Sequence, residues 1–142
     1  MRAHEMYAYR RFSRNVVGIL ALMFIISGLI KFFGPAMLPQ TFADWGYPSW
    51  FAYIVGLLEI GGGLLMLGQR SCFYGASVLA LIMFGAFFTH VVHGESMQAV
   101  VPLAMMALLF MVARLYSEGV VHQVERLLLW YELDGQENRY QH

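Results

Sequence analysis

The sequence predicts an all-α integral membrane protein, a bundle of four transmembrane helices followed by an amphipathic segment. Three observations predict it. Hydrophobic residues make up 59% of the 142-residue chain and charged residues 13%, against roughly 45–50% and 25% in ordinary globular chains. Four apolar stretches run from Val16 to Phe33, Trp50 to Gly68, Cys72 to His93 and Gln98 to Tyr116, each about as long as a bilayer crossing requires. Each is apolar nearly all round, whereas a helix on a soluble domain keeps a polar face.

Taken in order, residues 1–15 form a basic N-terminal arm, 16–116 the four-helix domain and 117–142 a tail. Arg10, Arg11 and Arg14 precede the first apolar run as they would in a signal peptide. Three more spans follow and no A-x-A cleavage site does, so a retained helix is expected. Gly34-Pro35 and Tyr47-Pro48 bracket the first connection, and Gln69-Arg70-Ser71 and Gly94-Glu95-Ser96 form the other two. With four spans and the N-terminus inside, all eight arginines fall on the cytoplasmic side and Lys31 near the opposite face. Basic residues in short loops favour the cytoplasm, which predicts an inner-membrane protein with both termini cytoplasmic. Trp45, Tyr47 and Trp50 then suit the outer headgroup layer.

Beyond Tyr116, Val120, Val121, Val124, Leu127 and Leu128 recur at helical spacing. Two readings fit: an amphipathic helix on the inner surface or on a partner, or a continuation of the fourth span. The formal net charge is zero and no Lys/Arg-rich run exists, which excludes a nucleic-acid partner. A single cysteine, Cys72, excludes an internal disulfide and a CxxC redox pair.

An ionisable side chain at the bilayer centre costs roughly 2.5–3.5 kcal/mol on insertion scales, so each one needs a reason. Glu59 lies roughly 13 Å along its helix from Trp50, close to the midplane. Ala52, Gly56 and Gly63 share its face, and such small-residue faces turn toward neighbouring helices. Glu59 therefore reads either as a buried acid that binds a ligand or relays a proton, or as a paired group that locks packing. Lys31, with Ser27 and Gly28 on its face, could snorkel to headgroups. Side chains lean toward the N-terminus of their own helix. Lys31 and His90 thus lean inward and Glu59 outward, and the three are expected to form one polar cluster in the outer half of the bundle. Ala52, Gly56, Ala86 and Gly28 leave room beside it. His90, His93 and Met97 share one face and could alternatively ligate Cu(I). Gly61-Gly62-Gly63 lacks a following basic residue and reads as a close-packing element rather than a phosphate loop.

The runs Gly28-Leu29-Ile30-Lys31-Phe32, Gly46-Tyr47-Pro48, Leu58-Glu59-Ile60-Gly61-Gly62-Gly63 and Thr89-His90, with the spacing of the spans, resemble the DoxX-like family of small membrane proteins over residues 16–116. That resemblance implies a fold similar to the membrane subunit of thiosulfate:quinone oxidoreductases. It implies roles in redox complexes, copper-linked operons or the chaperoning of membrane partners. Two expectations follow. One is a redox-associated subunit of a membrane oxidoreductase, binding a quinone or similar amphipathic molecule through Lys31, Glu59 and His90. The other is a non-enzymatic accessory or scaffold protein that holds a membrane or peripheral partner, or a further copy of itself. No nucleophile–base pair, metal-hydrolase spacing or flavin fingerprint appears, so no catalytic residue is assigned.

Overall fold

The computed structural model describes the backbone of residues 3–35 and 37–137, and the side chains of residues 14–35 and 39–117. It is a membrane bundle of five helices among those residues: α1 (Ala3–Phe33), α2 (Met37–Asp44), α3 (Phe51–Leu67), α4 (Cys72–Val92) and α5 (Ser96–Glu137). The four expected spans fall within α1, α3, α4 and α5. Arg14–Phe33, Cys72–Val92 and Ser96–Ser117 are long and apolar enough to cross a bilayer. The second span is shorter than expected. Gly68 and the Pro48–Trp50 turn hold α3 to 17 residues, about 25 Å at the helical rise, so bilayer thinning or anchoring at its ends must absorb the shortfall.

The sequence gives no sign of α2, which the connection between the first two spans carries. α5 continues unbroken for 42 residues, as the second of the two readings of the tail expects. The start of the tail is therefore continuous with the fourth span. The side chains of Val120 to Leu128, whose spacing suggested an amphipathic helix, lie outside the described residues.

Packing follows chain order: α1 on α3, α3 on α4, α4 on α5, with the short α2 on α3. Glycines set how close these pairs come. A Cβ on Gly75 would lie 2.6 Å from the Gly62 carbonyl oxygen, and one on Gly63 2.8 Å from that of Ala21. Of the three consecutive glycines, Gly62 thus serves α4 and Gly63 serves α1, while Gly61 meets nothing within 4 Å. Val17, Leu20, Ala21, Phe24, Met66, Leu79, Leu109 and Val112 close the core at the end that carries Arg14, Arg70 and Arg114. Toward the Lys31 end the helices line a cavity instead.

Candidate ligand-binding site

The site begins with a glycine crossing. A Cβ on Gly28 would stand 2.5 Å from the Gly56 carbonyl oxygen, and one on Gly56 would stand 3.1 Å from Lys31 Cβ. No larger residue at either position allows α1 and α3 to approach so closely. At that distance Lys31 Nζ donates to Glu59 Oε2 at 2.6 Å. Ser27, four residues before Lys31 and so on its face, accepts from Nζ at 3.2 Å and donates to the same Oε2 at 3.2 Å. Glu59 is 3% exposed and the Lys31 side chain 13%, so the lysine is turned into the bundle rather than out to the headgroups. An ammonium has three protons and a carboxylate two oxygens. Among the described residues these bonds leave one Nζ proton and Glu59 Oε1 for other partners.

The pair forms part of the wall of a cavity of about 730 Å³, within the roughly 300–1,000 Å³ usual for small-molecule sites. Its walls are otherwise largely apolar, with Phe24, Val55, Leu58, Val78, Ile82 and Met105 among them. Ala86 and Gly85 keep the α4 wall thin, and Pro102, buried inside α5, closes another side.

Two helix ends deliver the polar groups at the mouth, each through a Schellman cap. At the end of α4, Gly94 takes φ +74°, Gly94 N–H donates to Val91 O, and Glu95 N–H donates to His90 O at 2.8 Å. This reversal folds the second residue past the helix back onto its last turn. Here it sets Glu95 Oε2 2.7 Å from His90 Nδ1. A carboxylate can only accept, so Nδ1 carries the proton. At the end of α2, Gly46 takes φ +81° and Tyr47 N–H donates to Phe42 O at 2.9 Å. The same cap turns Tyr47 inward, beside Phe42 and stacked on Phe51.

These two ends are tied together over the cavity. Trp45 Nε1 donates to Glu95 Oε1 at 3.3 Å, and the indole stands edge-on to His90. The Tyr47 hydroxyl lies 2.9 Å from Thr89 Oγ1. Thr89 already donates its proton to Gly85 O, so Tyr47 is the donor. Glu95 lies outside the membrane-spanning segments, and its carboxyl is held below its ordinary range, first by the His90 hydrogen bond and next by Trp45.

The structure thus brings Lys31 and Glu59 into contact and sets His90 on the same cavity. The three do not form one hydrogen-bonded cluster, because the Gly94 cap supplies His90 with a nearer carboxylate in Glu95. The sequence reading took Gly94-Glu95-Ser96 as a turn and Trp45 and Tyr47 as headgroup anchors, and so missed all three as site residues. Gly94 directly after an apolar helix is the signal that could have found Glu95. Of the copper candidates, His93 Nδ1 donates to Thr89 O at 2.8 Å and Met97 is 86% exposed. Among the described residues no three of His, Cys, Asp and Glu group as metal ligands would.

A buried ion pair on the wall of an apolar cavity, inside a bundle of apolar helices, defines a small helical membrane protein with an internal polar centre. The profile of the DoxX-like family matches residues 15–112. The chain belongs to the DoxX-like family. It is also similar to a Bacillus subtilis (strain 168) protein named "Putative oxidoreductase CatD", 36% identical over 72 residues. That match covers 50% of this chain and 53% of the relative, so the chain spans about half the length of the curated relative it matches. No solved structure matches the chain.

Proposed function

We propose that the protein is a redox-associated membrane subunit that binds a quinone or similar small amphipathic molecule in the Lys31–Glu59 cavity. The observation that carries this reading is the ion pair itself. Most of the cavity wall offers apolar contact, and the pair offers a charged hydrogen-bond donor and a charged acceptor side by side. A quinone carbonyl accepts from Lys31 Nζ, and the hydroxyl of the corresponding quinol donates to Glu59 Oε1. His90 and Tyr47 supply a second polar end at the mouth. The oxidoreductase name of the Bacillus relative supports the same assignment. The Arg14–Arg70–Arg114 end is assigned to the cytoplasm and the cavity mouth to the opposite face of the inner membrane, on the charge distribution.

The test is binding of decyl-benzoquinone to the protein in lipid nanodiscs. Glu59→Gln keeps the size of the side chain and removes its charge, and Lys31→Met removes the donor. Both should weaken binding while leaving the protein monodisperse. Unchanged binding in both would end the proposal.

A second reading is favoured by the length of α5. At 42 residues it measures about 63 Å, twice the thickness of a hydrocarbon core. The excess is a natural arm for a membrane or peripheral partner. Truncation after Tyr116 that removes a co-purifying protein while preserving quinone binding would support the accessory role.

A further inference from the structure

We infer that the cavity is loaded sideways from the bilayer, between α1 and α5, and that its ligand is a long-chain amphiphile whose tail remains in that seam. This rests on the proposed ligand site and adds the route of entry and the class of ligand.

Three observations converge on the seam. First, α1 and α5 both line the cavity, yet they do not pack on each other as α1 packs on α3 or α4 on α5. Second, a groove of about 350 Å³ runs along α1, lined by Met23, Ile26, Ser27, Ile30 and Lys31. These residues recur at three- and four-residue spacing, so they form one stripe, beside the stripe whose Ala21 and Gly28 face α3. Met23, Ser27 and Lys31 line the groove and the cavity alike, so the two spaces adjoin across these three side chains. Third, the mouth at the opposite end is spanned by bonded side chains. The Trp45–Glu95 and Tyr47–Thr89 hydrogen bonds hold the α2 connection across the end that faces water.

The surfaces along this route grade in chemistry. Ile26, Ile30 and the 51% exposed Met23 present hydrocarbon to lipid, and on the other side of the seam Val101 of α5 is 66% exposed. Inward of them come the Ser27 hydroxyl and then the ion pair. An amphiphile entering head first passes from hydrocarbon to the Lys31–Glu59 donor and acceptor without crossing a headgroup layer. Its tail then lies where lipid already was, so the chain need not be desolvated a second time. A short water-soluble ring compound gains nothing from the groove.

The experiment uses the full chain in lipid nanodiscs and a benzoquinone carrying a hexadecyl chain with a diazirine at mid-chain. Photolysis followed by peptide mapping should place the tail on Met23, Ile26 or Ile30. Met23→Trp, which fills the groove where it meets the cavity, should abolish that labelling. Leu57→Trp, an equally large change on the lipid side of α3, should not. Tail labelling on Phe42 and Trp45, or on Leu58 and Leu81, would overturn the α1–α5 route while leaving the site intact. So would unchanged labelling in Met23→Trp. A Met23→Cys, Cys72→Ser protein that forms a disulfide-linked dimer would overturn it too, by showing a second copy in the seam. Absence of labelling anywhere, together with absence of decyl-benzoquinone binding, would instead sink the ligand reading on which the route depends.

Discussion

Removing one member of the Lys31–Glu59 pair should cost more than removing both. Lys31→Met strands a 3% exposed carboxylate near the middle of α3, with Ser27 as its remaining hydrogen-bond partner. A buried charge left without its partner costs about 3–5 kcal/mol, and the lower end applies because Ser27 stays. Glu59→Leu strands the ammonium instead. Lys31 sits two residues from the end of α1, so its long side chain can swing to the headgroups, and the cost falls to roughly 1–2 kcal/mol. The double variant Lys31→Met/Glu59→Leu carries no charge to strand and should lie within about 1 kcal/mol of the wild type. The coupling energy is then roughly 3 kcal/mol, well beyond the ~0.5 kcal/mol scatter of independent sites. Steric-trap unfolding in bicelles reads all four corners of the cycle. Additive losses would refute the pairing, and a larger loss for Glu59→Leu than for Lys31→Met would refute the snorkelling argument.

Other outcomes follow from the same geometry. Gly28→Val must push α1 off α3, because even a bare Cβ would approach the Gly56 carbonyl to 2.5 Å; thermal melts should show a loss of about 1–3 kcal/mol or more. Gly61→Ala meets nothing within 4 Å and should be neutral or stabilising by up to about 1 kcal/mol. Glu95 has its carboxyl lowered in the folded protein from an ordinary value of 4.5, so the latch it forms is at full strength above that value and is lost as pH falls through the lower folded one. Trp45 fluorescence in a Trp50→Phe, Trp130→Phe protein should report that acid transition, and Glu95→Gln should remove it. Single cysteines at Asp44 and Gln69, in a Cys72→Ser protein, should label from opposite faces of intact cells, Asp44 from outside; the reverse pattern would overturn the charge-based orientation.

The sequence disclosed the spans because apolar runs of that length have one stable solvent. It disclosed the Lys31–Glu59 meeting because the lean of side chains along a helix is a local property that survives packing. Features that depend on chain reversal were less legible. The bond between His90 and Glu95 exists because Gly94 adopts a positive φ, and the residue after such a glycine returns to the helix it has just left. Tyr47 and Trp45 were read as interface aromatics by residue type, a role that the 57% exposed Trp50 fits. The Gly46 cap turned the other two inward. α2 escaped because Gly34-Pro35 opens its segment as a loop and eight residues are too few for a periodic signal.

The exposed lining of the cavity constrains what can occupy it. Met23, Leu58, Leu81 and Val101 line it and are themselves exposed, so the cavity is not sealed from its surroundings. In a bilayer, acyl chains are within reach of it. Under the proposed function, ligand binding is then an exchange of one chain for another. The tail contributes little net affinity, because the lipid it replaces made similar contacts. Discrimination falls to the head group, where Lys31 and Glu59 offer hydrogen bonds that a hydrocarbon chain cannot accept. Decyl-benzoquinone affinity should consequently fall as dodecyl-chain detergent is added to nanodiscs at constant probe activity, and the Glu59→Gln variant should lose affinity equally at every detergent level. An affinity that does not respond to detergent would mean that the cavity is not exchanging chains with its surroundings, and the lateral seam would lose its purpose.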